Sequence, residues 1–273
     1  MKARLKFSKT GSMRFIGHLD VMRYFQKAFR RAGIAVSYSQ GYSPHQLMSF
    51  ASPLGIGLSS DAEYLDVVLE DEKQAEDFLL RINQVMNEEI TVKDFTILEE
   101  EAKSSMAVLA ACDYLIAVKK GGESFLTEQR KREIALRRFA ARDSVEIVKK
   151  TKRSEKLVDI RENIYLLADS REALEEFTGI TYGNLSLDLA EYTPVLYCQL
   201  TAGSVVNIKP KLVLEALSSQ EGEKYNGFSY QIHRLEMYGD RTAKKGEVHT
   251  LYGEVPCSLM PLSEFGRREE VQE

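Results

Sequence analysis

Residues able to do chemistry concentrate between positions 11 and 66. Arg23, Lys27, Arg30 and Arg31 recur at steps of three and four, with Arg14 just ahead of them. That spacing puts four or five cations on one face of a helix. Such a face can neutralise successive phosphates and release their counterions, which is the signature of salt-dependent nucleic-acid binding. A folding-only reading leaves the same residues as a solvated helix face, some of them paired with acids of a second helix.

The loop Tyr38–His45 adds stacking side chains (Tyr38, Tyr42, His45), hydrogen-bonding ones (Ser39, Gln40) and Gly41, where a backbone can approach closely. Aromatic and basic residues side by side suit single-stranded RNA. The bland reading is a hydrogen-bonded turn. His18, at a helix start with Asp20, is a general acid–base candidate, as are His45 and Tyr42; no nucleophile accompanies the His18–Asp20 pair, and a structural role explains His18 as well. Gly55-Ile56-Gly57 with Ser59 and Ser60 lacks the lysine of a phosphate loop and the spacing of a dinucleotide fingerprint, so it reads as a turn. A later basic run, Lys149 to Lys156 (KKTKRSEK), offers Lys149, Lys150, Lys152 and Arg153 as phosphate contacts on a mobile arm.

The totals bound the function classes. A chain of 273 residues, 44% hydrophobic and 29% charged, is long enough for one large domain or two of about 100 residues. No stretch has the roughly 18 consecutive apolar residues of a membrane helix, and the N-terminus lacks the apolar core of a signal peptide. A cytoplasmic protein is expected. Cys112, Cys198 and Cys257 lie far apart and the four histidines show no ligand spacing, so no metal or cofactor site is expected. The net charge of −4 conceals blocks: residues 1–60 carry nine Lys/Arg and one acid, residues 61–101 three and fourteen. Basic patches on an acidic body follow, which favour anionic partners.

The elements that must position these residues follow from periodicity. KARLKFSK alternates as a strand, with Ala3, Leu5 and Phe7 inward and Arg4, Lys6 and Ser8 outward. A helix is predicted over His18–Ala32, with Leu19, Met22, Phe25, Phe29 and Ala32 as its apolar stripe and Gly33 as its stop. Strands are predicted over 34–38, 63–70 and 91–98, and a second helix over Lys73–Asn87 that buries Ala75, Phe78, Leu79, Ile82 and Met86. The order is the ferredoxin-like split βαβ pattern.

A charged stretch, Glu99–Ser105, marks a boundary, after which the pattern returns. There is a strand at Cys112–Lys119 and a helix at Glu128–Arg142 capped by Thr127. A short helix follows Ser170 and ends before Gly179. Two strands fall within NLSLDLAEYTPVLYCQLTAG, then a helix from Pro210, then a strand at FSYQIHRLEMYG. The expectation is an α+β protein of two tandem ferredoxin-like domains, 1–101 and 106–240. The second is elaborated by an insertion near 145–180, and an extension and tail occupy 241–273.

Residues 14–67, RFIGHLDVMRYFQKAFRRAGIAVSYSQGYSPHQLMSFASPLGIGLSSDAEYLDV, closely resemble the opening of the radical-SAM-linked protein family. Its members are of unknown function, found alone or fused behind a radical SAM protein of the cobalamin-binding type. The match runs through His18, Asp20, Met22, Arg23, Arg30, Arg31, Gly33, Tyr38, Ser39, Gly41, Pro44, Ser49, Phe50, Pro53, Gly57, Ser60, Glu63, Tyr64 and Asp66. The chain has Tyr42 where the pattern has Phe and Ala35 where Pro is common. TKRSEKLVDIRENI is similar to the family's second block, so the resemblance spans most of residues 1–240. It implies a radical SAM partner and, because members are encoded beside radical SAM and ribonuclease E/G-type proteins, an RNA or translation setting. The chain's own cysteines have no cluster spacing.

The reading is therefore an accessory RNA-binding or partner-binding protein working with a separate radical SAM protein in RNA modification, RNA processing or translation. The alternatives are a metal-independent RNA-processing or RNA-modifying enzyme using His18, Tyr42 or His45, and a pure protein adaptor.

Overall fold

The computed structural model describes residues 1–150, 155–241 and 259–268. In chain order the elements are β1 (Lys2–Lys9), α1 (His18–Arg31), β2 (Met48–Phe50), β3 (Ser59–Val68), α2 (Phe78–Asn83), β4 (Val92–Ile97), α3 (Ser105–Val108), β5 (Leu109–Lys119) and α4 (Gln129–Ala140). There follow β6 (Glu146–Lys150), β7 (Glu155–Asp159), β8 (Ile164–Ala168), α5 (Arg171–Thr178), β9 (Tyr192–Thr201), α6 (Pro210–Gln220), β10 (Tyr230–Asp240) and β11 (Leu259–Pro261). The protein is thus of mixed α+β class. Among the described residues no helix is long and apolar enough to cross a membrane. The chain divides into two compact units, one holding Met1–Leu109, Glu236–Arg241 and the stretch from Leu259, the other holding Ala110–Leu235.

In the first unit β1 lies between β4 and β3, and β2 pairs with the far side of β3; all three pairings are antiparallel. The alternation of β1 sends Ala3, Leu5 and Phe7 to the face that also receives Leu65 and Val67, and α1 closes that face with Val21, Phe25, Ala28 and Phe29. Phe25 and Phe29 of the predicted stripe are buried, and Met22 and Ala32 pack against the core; the stripe is broader on the Val21 and Ala28 side and leaves Leu19 out. Leu19 is 59% exposed and Val21 and Ala28 are buried instead, because a shift of about 100° per residue is enough to move a flanking position off the sheet. At the C-terminal end of α1 the Arg81 guanidinium donates to the carbonyls of Ala32 and Gly33, supplying partners for carbonyls the helix leaves over.

Three expectations for this unit are corrected. The segment 34–38 is not a strand: it makes single bridges, Val36 to Leu69 and Tyr38 to Gln46. The chain turns back, so that Met48–Phe50 takes the β3 edge opposite Leu65, Asp66 and Val67. The second helix is broken. A 3-10 turn at Glu72–Ala75 is separated from the six-residue α2 by Asp77, which adopts a left-handed conformation (φ +50°), and only Phe78 and Ile82 of the expected set are fully buried. Aspartate is among the few residues that tolerate that region. Finally, Arg4 and Ser8 do not face solvent. The second face of the sheet is covered by residues 99–105 and 259–268, to which Arg4 is hydrogen-bonded.

In the second unit the strand order is β10-β5-β9-β8, with β6 and β7 forming a separate antiparallel hairpin. Helix α5 begins after Ser170 and ends before Gly179, as predicted. The Ser170 hydroxyl accepts from the Ala173 N–H, and Gly179 ends the helix at φ +70°. Pro210 occupies the first turn of α6. Two details differ. Thr127 does not cap α4; its hydroxyl donates to the Ser124 carbonyl, while Ser124 caps the 3-10 turn ahead of the helix. The stretch NLSLDLAEYTPVLYCQLTAG holds one strand, β9, whose outer neighbour β8 comes from upstream sequence.

Candidate nucleic-acid interface

The segment leading into α1 is pinned before the helix begins. The Glu89 carboxylate accepts from the Ser12 N–H (3.0 Å), the Ser12 hydroxyl (2.5 Å) and the Met13 N–H (3.1 Å), holding the 3-10 turn Gly11–Phe15. Those bonds, first from the Ser12 side chain and then from backbone N–H groups, keep the Glu89 carboxyl below the usual carboxylate range. A depressed folded pKa adds stability that is present above the unfolded value and is lost as pH falls through the folded one. Urea unfolding should therefore show Glu89→Ala less stable than the parent at pH 7, with the difference shrinking below about pH 4. A difference independent of pH would contradict the assignment. Further support comes from Lys9, whose buried ammonium donates to the Ile16 carbonyl at 2.9 Å. Burial lowers its pKa, and the neighbouring Glu63 carboxylate opposes that shift.

Beyond this anchor, Leu19, Asp20, Arg23, Lys27, Arg30 and Arg31 are the exposed side of α1. Arg23 pairs with Asp20 at 3.4 Å, one turn away on the same helix. Arg31 donates to the Val85 carbonyl at 2.8 Å, a bond that leaves its charge uncompensated. Among the described residues, Lys27 and Arg30 have no ion-pair partner. The pairing with acids of the second helical stretch that a folding-only reading supposed is not seen for Lys27 or Arg30 among the described residues; Glu72 there is engaged by Arg268 at 2.7 Å. Arg14 is half-buried, its guanidinium 4.8 Å from the ring centre of Phe15 and its carbonyl accepting from the Gly57 N–H.

The loop after Tyr38 is closed on itself. The Ser39 N–H donates to the His45 carbonyl, the His45 N–H to the Ser39 hydroxyl, and that hydroxyl lies 2.9 Å from His45 Nδ1. Gly41 sits at φ +118° at the tip. Ser39 and His45 are thus brought together, while Tyr42 stands fully in solvent. His18 packs edge-on against the Phe50 ring, 5.0 Å between centres, and Asp20 turns to Arg23, so these two do not form an acid–base pair. The Gly55–Gly57 turn is held by hydrogen bonds to Arg14 and within itself, and Ser59 and Ser60 are buried. Lys149 and Lys150 belong to the end of β6, opposite Lys156 and Glu155; Lys152 and Arg153 lie outside the described residues.

Sequence reasoning missed the large apolar side chains left in solvent beside the cations: Phe15, Leu19 and Ile56. Phe15 gives no periodic signal because it sits in a 3-10 turn, and Ile56 none because it sits in a loop. Among the described residues no group of three His, Cys, Asp or Glu side chains is placed to hold a metal. Cys112 and Cys198 are buried, and burial pushes the Cys198 thiol upward, with Asp113 adding to the effect; Cys257 and His249 lie outside the described residues.

These features define a mixed α+β protein with a pinned, exposed, basic helix. Residues 2–210 match the family described as uncharacterized protein conserved in bacteria (DUF2344), and the chain belongs to that family. No curated protein compared with the chain matches it.

Proposed function

We propose that the chain is an accessory RNA-binding protein of the bacterial cytoplasm that holds RNA for a separate radical SAM protein, in RNA modification, processing or translation. The observation that carries the RNA part is the exposed face of α1, where Lys27 and Arg30 have no ion-pair partner among the described residues and Arg31 keeps its charge. Uncompensated cations on a rigid element favour a polyanion, because binding releases the polyanion's counterions. The partner rests on the resemblance of residues 14–67 to the radical-SAM-linked family. We read both units as ferredoxin-like. Support comes from the orders β4-β1-β3-β2 and β10-β5-β9-β8, the strand order of a split βαβ unit; on this reading the β6–β7 hairpin and α5 are insertions in the second.

Filter binding of tRNA and rRNA fragments across a salt series tests this. Affinity should fall steeply with salt, and Lys27→Glu with Arg30→Glu should flatten the log–log slope by about 0.7 for each phosphate of a single strand that is no longer neutralised. Affinity unchanged by salt or by these charge reversals would overturn the proposal. A second reading, RNA processing without a metal, is favoured by the Ser39 hydroxyl lying 2.9 Å from His45 Nδ1, the contact of a nucleophile with its base. Intact RNA recovered from the same assay would dismiss it.

A further inference from the structure

Phe15, Leu19 and Ile56 are 58%, 59% and 68% exposed: Phe15 ends the 3-10 turn ahead of α1, Leu19 lies in the first turn of α1, and Ile56 lies in the turn hydrogen-bonded to Arg14. Leu19 follows Phe15 by four residues, and Ile56 precedes Gly57, whose N–H donates to the Arg14 carbonyl at 2.9 Å. An aromatic ring in solvent is ordinary when it stands alone on a mobile loop. Phe15 is on neither count ordinary. Its backbone is fixed by the Glu89 carboxylate on one side and by the bond from Lys9 to Ile16 on the other. The Arg14 guanidinium stacks within 4.8 Å of the ring centre, adding a cation to its surroundings. Past the extended residues Ile16 and Gly17, an exposed ridge runs along α1 through Leu19, Arg23, Lys27 and Arg31, each about 6 Å further along the axis at 1.5 Å per residue. An apolar, aromatic head followed by evenly spaced cations is a platform with a backbone track.

We infer that the exposed, pinned Phe15 ring is a stacking platform for an unpaired base, so that the α1 face takes single-stranded RNA rather than duplex. The inference rests on the RNA reading above and refines it. Duplex presents its bases edge-on and its phosphates outward, leaving a flat apolar platform without a partner. A single strand offers a π-face with every base, and stacking is tolerant of sequence. Because the scaffold under Phe15 is already ordered, little freedom is lost when the base docks.

The chain contains no tryptophan, so Phe15→Trp introduces a single indole reporter at an exposed position. Titration with a single-stranded oligoribonucleotide should quench its emission. An abasic strand of equal length and a fully paired hairpin stem should quench much less. Phe15→Ala should weaken single-strand binding by about five- to a hundredfold while leaving the salt slope unchanged, since every cation that neutralises a phosphate is still in place. Phe15→Trp should retain affinity, and matched urea midpoints establish that each variant is folded. Equal affinity of Phe15→Ala and parent, with salt-dependent binding intact, overturns the platform and leaves the RNA reading standing, as does equal quenching by the abasic strand. Binding to phosphatidylglycerol vesicles that needs Phe15, when RNA binding does not, assigns the platform to a lipid surface and overturns it. Absence of any salt-dependent RNA binding removes both readings.

Discussion

Replacing Arg4 by methionine is expected to destabilise the first unit by about 3–5 kcal/mol, the cost of leaving a buried partner charge uncompensated. Arg4 is 1% exposed. Its Nε donates to Asp66 Oδ1 at 2.7 Å and Nη2 to Asp66 Oδ2 at 3.3 Å, a forked pair between neighbouring strands. The rest of the guanidinium is spent on backbone carbonyls: Nη1 on Leu262 (2.9 Å) and Phe265 (2.7 Å), Nη2 on Lys103 (3.3 Å). One side chain therefore fastens β3, the segment after β4 and the residues around β11 to a single point of β1. Methionine fills similar volume but leaves the Asp66 carboxylate with the Ser105 N–H alone among these partners. Lysine keeps the charge and loses the fork, so Arg4→Lys should recover only part of the loss. In the double variant Arg4→Met/Asp66→Leu no charge is stranded, and its loss should be smaller than the sum of the singles by about 1–3 kcal/mol. Urea unfolding of the parent, the three single variants (Arg4→Met, Arg4→Lys and Asp66→Leu) and the double variant measures this directly. A single variant within about 0.5 kcal/mol of the parent would show that water already reaches the pair.

Arg4, which alternation assigns to solvent, marks the limit of local pattern. Alternation along KARLKFSK sorts its side chains into two faces correctly, and one of them, with Ala3, Leu5 and Phe7, is the helix-packed face. Whether the other face meets water depends on what covers it. The cover comes from Leu262 and Phe265, more than 250 residues away, which no window of sequence can report. The same holds for 34–38, which has the composition of a strand but loses the β3 edge to Met48–Phe50. By contrast, features decided within one turn of chain are legible: the helix start after Ser170, the Gly179 stop, Pro210 at the start of α6. The cations of α1 belong to that class, since spacing alone places them on one face. The apolar platform does not, because only the fold brings the Ile56 turn to Arg14 and holds Phe15 still.

Phe25→Ala is expected to cost about 3–5 kcal/mol and to leave a cavity under α1. The ring is fully buried and stands at the centre of an aromatic cluster: Phe7 at 4.8 Å edge-on, Phe29 at 5.9 Å, Phe50 at 6.0 Å and Tyr24 at 6.2 Å between centres. Phe7 and Phe50 come from β1 and β2, and the β-sheet cannot close over the missing volume without moving both. Lys27, two residues on, lies on the opposite side of the same helix and is exposed. Lys27→Glu should change stability by no more than about 0.5 kcal/mol. The contrast decides what the basic face is for. If the charge reversal also lowered stability by several kcal/mol, the cations would be holding the fold and their loss in an RNA assay would mean nothing. If Phe25→Ala unfolds the unit while Lys27→Glu leaves its urea midpoint in place and removes RNA affinity, folding and binding have been separated on two sides of one helix. Phe25→Leu, which keeps most of the buried apolar volume, should then retain the RNA affinity of the parent at temperatures where it stays folded.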